Sequence, residues 1–200
     1  MPLPHPAPKK RLSKDERHRQ LLDVAWDVVR REGTDALTLG YLAQRAGVTK
    51  PVVYDHFGTR PGLLAALYQE FDVRHTAQMD EALQAAGKTL PAVARVIASA
   101  YVGCVLGMGR EIPGVSAALA GSPELDALKK DHESVFLGKC RDALQPFARQ
   151  PIGAAGLRVL LGAAEAVSYA AAAGELPPDE AESELFETIL AMVKRQGRVA

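Results

Sequence analysis

Two hundred residues, 48% hydrophobic and 24% charged with no net formal charge, suffice to bury a core and argue against a chain built on bulk charge. No apolar run is expected to reach the ~18 residues of a membrane span, the start MPLPHPAPKKRLSK lacks the apolar stretch of a secretory leader, and the only cysteines, Cys104 and Cys140, are too few for a disulfide framework or zinc cluster, so a reduced cytoplasm is expected. The zero balance hides an asymmetry: residues 1–60 hold eleven Lys/Arg against seven Asp/Glu, and residues 61–200 thirteen against seventeen, which suits a small polyanion-binding unit joined to a larger acidic one.

Pro2, Pro4, Pro6 and Pro8 predict a disordered or extended basic arm over residues 1–12. Ser13 and Glu16 form a capping box that opens the first helix, Leu22, Ala25, Trp26 and Val29 follow at helical spacing, and Gly33 ends it. Residues 38–57 then read as two short helices across a tight turn. Leu39, Leu42, Ala43 and Ala46 share a face, Gly47 supplies the positive φ that stops the helix, and Val48 plugs the turn. Thr49 caps the second helix, with Pro51 in its first turn. This is a helix-turn-helix, whose second helix suits the DNA major groove.

Gly58 closes that helix, and Thr59 caps a fourth with Pro61 in its first turn and a buried stripe of Leu63, Leu64, Leu67 and Phe71. The helix-turn-helix unit is therefore placed at residues 13–58 and the remaining unit at 59–200. A fifth helix starts at Thr89-Leu90-Pro91 and keeps its apolar rhythm to Met108. Residues 107–123, broken by Gly and Pro, leave room for one short helix, followed by helices over Leu125 to Phe147, 152–173 and 179–196. No segment alternates as a half-buried strand does. The expected fold is all-α, with about nine helices.

At roughly 100° per residue, turning Val53 and Phe57 inward projects Pro51, Val52 and Asp55 outward, with Lys50 and Tyr54 on one flank and His56 on the other. The outward set meets base edges: Pro51 and Val52 suit a thymine methyl, and Asp55 can accept from cytosine N4. The flanks suit phosphates, as do the Thr49 hydroxyl, the free amides of the helix end and, from the next helix, Arg60.

The run LTLGYLAQRAGVTKPVVYDHFGTRPGLLAALY, residues 37–68, with LLDVAWDVVRREG before it, resembles the tetracycline-repressor (TetR/AcrR) family of bacterial transcription regulators. Its pattern stands here as Leu42, Ala43, Gly47, Val48, Tyr54, His56, Phe57 and Arg60. The resemblance implies a homodimer binding a palindromic operator in double-stranded DNA, with a larger helical domain that dimerises and encloses a pocket for a small-molecule effector. By position, Thr49, Lys50, Tyr54 and His56 take the phosphate-contact roles, and Pro51, Val52 and Asp55 the base-facing ones. Gly40 stands where the tetracycline repressor has a base-reading arginine, and Asp55 where it has tryptophan, so Tyr41 is the candidate substitute reader.

The last two helices fit the dimerising pair, through Leu157, Leu160, Leu161 and Ala164 on one and Phe186, Ile189, Leu190 and Val193 on the other. Arg158 and Glu165, two turns apart, are either an ion pair with the partner chain or a solvated edge. Tyr101, Cys104 and Met108, with Phe136 and Cys140 facing them, are the pocket candidates, though such a stripe is more often core than ligand cavity. Residues 107–123 resemble the family's mobile pocket entrance. The expected function is a repressor released by a small hydrophobic or amphipathic effector. An activator of the same fold and an all-α carrier or enzyme with an incidental helix-turn-helix remain as alternatives. No nucleophile–base pair or phosphate loop suggests an enzyme or cofactor, and the spacing of His75 and His132 supports no metal site.

Overall fold

The first helix starts at its capping box. In the computed structural model, which describes residues 12–108, 111–119 and 123–195, the Glu16 amide donates to Ser13 Oγ at 3.1 Å and the Ser13 amide to the Glu16 carboxylate at 2.7 Å. Two amides that a helix leaves unpaired are satisfied in this way. The described residues form α1 (Lys14–Glu32), α2 (Leu39–Ala46), α3 (Lys50–Phe57), α4 (Arg60–Ala85), α5 (Leu90–Met108), α6 (Glu111–Leu119), α7 (Pro123–Leu144), α8 (Ala154–Ala173) and α9 (Pro178–Arg195), with 3-10 turns at Thr34–Ala36 and Gln145–Phe147. The chain is all-α. Apart from Leu12, the expected arm lies outside the described residues.

Apolar side chains gather into two cores. The first packs Leu21, Ala25 and Trp26 of α1 and Leu42 of α2 with Val53 and Phe57 of α3 and Leu63, Leu64 and Leu67 of α4. The second joins Met79, near the far end of α4, to α5, α7, α8 and α9. With 26 residues, roughly 39 Å at 1.5 Å per residue, α4 is long enough to serve both. The first core also takes Val115 and Leu119 from α6 and Leu125 from α7. Three short helices leave an open apolar side, and α6 covers it.

By length and composition, Leu90–Gly107 of α5 is apolar enough to cross a membrane. It is instead an inner helix of the second core, packed by α4, α8 and α9, with Ile97, Ala98 and Val102 buried. This packing corrects the interface assigned from the sequence. Leu157, Leu160, Leu161 and Ala164 of α8 and Ile189, Leu190 and Val193 of α9 are buried within the single chain. Phe186 is half-buried, with the Arg95 guanidinium 4.4 Å from its ring centroid. The inner helix α5 claims the apolar faces of both helices, leaving α8 a second, exposed stripe of Ala155, Val159, Gly162 and Ala166. Arg158 and Glu165 also find partners inside the chain, Arg158 with Glu133 at 3.1 Å and Glu165 with Lys129 at 3.3 Å.

Candidate nucleic-acid interface and effector cavity

Gly47 ends α2 in the left-handed region, at φ 66° and ψ 34°, a conformation that costs glycine nothing. Val48 then packs on the first core, and Thr49 caps α3 from an extended backbone. Its hydroxyl makes no capping hydrogen bond, so it is left for an external acceptor. Val53 is fully buried and Phe57 nearly so, whereas Pro51, Tyr54 and Asp55 are exposed and Val52 and His56 half-buried. Tyr54, 52% exposed, leaves a large ring in water with no core role.

The Lys50 side chain lies over Gly40, where an added Cβ would meet its Cε at 3.6 Å. A cation thus fills the space beside the missing side chain. On the other flank the His56 ring lies 5.5 Å from His18 and 6.0 Å from Phe57. Burial lowers its pKa first, the charges of His18 and Lys14 lower it further, and Asp55 opposes them. Lys14, Arg17 and His18 of α1 therefore add their positive field to that of α3. Their basic character was visible in the sequence, but not their adjacency to His56, which depends on how α1 crosses α3.

A small cavity lies between α4, α5, α7 and α8. Tyr68, Phe71, Asp72 and His75 line it from α4, Tyr101 and Val105 from α5, Glu133 and Phe136 from α7, and Leu161, Glu165 and Tyr169 from α8. Of the expected pocket residues, Tyr101 and Phe136 line it. Cys140 instead sits in the second core, fully buried. Cys104 is half-buried outside the lining, and burial pushes its thiol up to about 12 despite the nearby charge of Arg74. The Met108 side chain lies outside the described residues. Sequence reading missed the carboxylates because each looks like a solvated charge on its own helix. Behind the lining, Lys129 lies 3.2 Å from Glu133 and 3.3 Å from Glu165. Burial works against the Lys129 ammonium, but Glu165 and Glu133 prevail and raise its pKa.

Residues 21–67 match the bacterial regulatory proteins of the tetR family. A 59-residue stretch is 44% identical to the HTH-type transcriptional activator FasR of Mycolicibacterium smegmatis, covering 30% of this chain and 27% of that relative's length. Residues 21–67 therefore carry the N-terminal module of the TetR family. The fold likeness extends much further than the sequence match. A putative TetR-family regulator from Rhodococcus sp. superposes on 90% of this chain and 99% of its own with a TM-score of 0.73 at 19% identity. The fatty acid degradation regulator FadR from Bacillus halodurans does so on 92% and 97%, with a TM-score of 0.73 at 16% identity.

Within this TetR-family head, two expected DNA contacts are already engaged. Arg60 donates from Nε to the Leu37 carbonyl and from a terminal nitrogen to the Thr34 carbonyl, both at 2.9 Å. Its guanidinium ties the start of α4 to the 3-10 turn rather than standing free for phosphate. The Tyr41 hydroxyl meets the Glu32 carboxylate at 2.9 Å, and the Arg45 guanidinium lies 5.9 Å from its ring centroid. Tyr41 therefore faces the end of α1. A residue the sequence did not single out is Gly62, whose added Cβ would stand 2.2 Å from the Phe57 carbonyl oxygen. It allows α4 to start close against α3.

Proposed function

We propose that this chain is a homodimeric transcriptional repressor that binds a palindromic operator through α3 and leaves it when a small molecule occupies the cavity between α4, α5, α7 and α8. The observation carrying the reading is α3 itself, anchored by Val53 and Phe57 with Pro51, Tyr54 and Asp55 exposed; on this reading Thr49, Lys50, Tyr54 and His56 meet phosphates and Pro51, Val52 and Asp55 meet bases. One chain supplies one reading helix, so a palindrome with half-sites ~34–36 Å apart requires a second copy. The exposed stripe of small residues on α8 suits a close helix-helix approach across a two-fold axis.

A contact path supports effector control. The Tyr169 hydroxyl at the cavity interacts with the Ser116 side chain on α6, which lowers its pKa against the larger effect of burial, and Gly114 of α6 lies so near Thr34 that an added Cβ would meet Thr34 Oγ1 at 2.8 Å. The Thr34 carbonyl in turn holds Arg60, at the start of α4. Displacing α6 thus disturbs the turn that sets α4 against α3. An effector that favours the displaced state would shift the dimer away from operator spacing.

The test is titration of the full chain with labelled duplexes selected from a random pool, over ~50–200 mM salt. Sub-micromolar binding of a palindrome, weakening steeply with salt, is expected. If no selected duplex binds more tightly than micromolar at low salt, the reading fails. The FasR relative, named a transcriptional activator, favours a second reading in which the same head activates. Transcription from a promoter carrying the selected site, with and without the protein, separates the two.

A further inference from the structure

We propose that the cavity between α4, α5, α7 and α8 takes a protonated amine carried on an apolar body. This rests on reading the cavity as the effector site. Among the described residues, every charged side chain in its lining is a carboxylate: Asp72, Glu133 and Glu165. Two cations reach them. Lys129 bridges Glu133 and Glu165 at 3.2 and 3.3 Å, and Arg158 meets Glu133 at 3.1 Å. Among the described residues, Asp72 meets the His132 ring, at 2.8 Å. Three carboxylates thus stand against two full cations and one imidazole, none of which lines the cavity itself, and an anionic head group would face all three carboxylates.

The remaining wall favours the same charge. Phe71 and Phe136 stack on His75 with centroids 5.9 and 5.6 Å away, and Tyr101 meets it edge-on at 5.4 Å. Aromatic faces attract cations and accept an apolar body. His75 supplies the polar anchor. It is 5% exposed, and its Nε2 is buried without a hydrogen-bond partner, although buried polar atoms are nearly always paired. Burial lowers the imidazole pKa, which favours the neutral ring, and a neutral ring nitrogen can accept an ammonium N–H. A carboxylate ligand would meet like charge, and a plain hydrocarbon would leave Nε2 unpaired.

The space inside is about 30 Å³, room for a water or two. A ligand must therefore part the walls to enter. Tyr169 is one of those walls and interacts with Ser116 of α6, so entry loads the helix that covers the first core.

The experiment is calorimetric titration of the full chain without DNA, using three probes with one body: 4-phenylbutylamine, 4-phenylbutanoate and 4-phenylbutanol. The amine is expected to bind about tenfold or more tightly than either other probe. Glu165→Gln and Asp72→Asn should each weaken the amine by about tenfold and leave the alcohol unchanged, with helix content by circular dichroism confirming that both variants fold. His75→Phe should also weaken the amine. Carboxylate or alcohol binding as tight as the amine overturns the proposal. So does absence of amine binding up to millimolar concentration, or unchanged amine affinity in both carboxylate variants. An amine that binds the free chain but leaves the operator complex intact supports the ligand chemistry and sinks the effector reading instead.

Discussion

Gly62→Ala sets helix propensity against packing, and the two predict opposite signs. Gly62 lies in the first turn of α4, its amide donating to Thr59 Oγ1 at 3.1 Å. Propensity alone predicts a gain approaching 1 kcal/mol on replacing a helical glycine with alanine. The added Cβ, however, would stand 2.2 Å from the Phe57 carbonyl oxygen, roughly 1 Å short of even a close C–H···O contact at ~3.3 Å. The obstacle is backbone, so no rotamer relieves it, and overpacking of this kind costs about 1–3 kcal/mol. The net expectation is a loss of up to about 2 kcal/mol, or up to about 8 °C in Tm for a chain of this size. Operator affinity should fall as well, because α3 must move. Gly103→Ala on α5 is the control. Its Cβ would meet nothing within 4 Å, so only propensity acts and Tm should hold or rise. Calorimetric unfolding of both variants decides the matter: a Gly62→Ala protein as stable as Gly103→Ala would refute the close approach of α4 to α3.

Lys50→Ala and Tyr54→Phe should weaken every duplex alike, Lys50→Ala reducing the salt slope by about 1, whereas Val52→Ala or Asp55→Ala should alter base preference by about 1–3 kcal/mol; uniform weakening by all four would falsify the facing of α3. Arg60→Ala should lower Tm by loss of two hydrogen bonds, by less than the ~1.5–3 kcal/mol of a charged bond apiece because the side chain is 38% exposed and screened, and should leave the salt slope of DNA binding unchanged. A slope reduced by one contact would return Arg60 to the phosphates. Val159→Asp on the exposed stripe of α8 should yield folded monomers in sedimentation, while Leu160→Ala should cost about 2–5 kcal/mol of stability; a dimeric Val159→Asp protein would move the interface elsewhere. Burial lowers the His75 pKa from 6.5, so the unfolded chain binds the extra proton first and stability falls as pH drops below about 6.5. His75→Phe should flatten the melting temperature between pH 7 and 5, and an unchanged slope would remove His75 from that effect.

Local signals in this chain were read correctly where a single element contains their cause. The capping box of Ser13 and Glu16, the left-handed Gly47 and the inward turn of Val53 and Phe57 each depend on backbone geometry and side-chain period within a few residues. Errors arose where two elements compete for one face. Leu160 and Ile189 sit on apolar faces that a partner chain or a neighbouring helix could cover equally well, and the period of a helix does not say which. The inner helix α5 covers them. Arg60 and Tyr41 failed for a related reason. A polar side chain on the edge of a helix looks available until the turn at Thr34 and the end of α1 supply closer partners.

The cavity marks the same division. Tyr101 and Phe136 stood on apolar helical faces and were found from the sequence, but Asp72, Glu133 and Glu165 occupy positions on three helices that separately read as surface. Only their convergence, with Lys129 shared between two of them, makes a site. The sequence by itself determined the helices, several of their capped ends and the inward face of α3, because hydrogen bonding and amphipathic period act over neighbouring residues. The tertiary structure alone decided which apolar faces are spent inside the chain, which cations are already held, and which charges meet around a space, because each of these depends on contacts between residues distant along the chain.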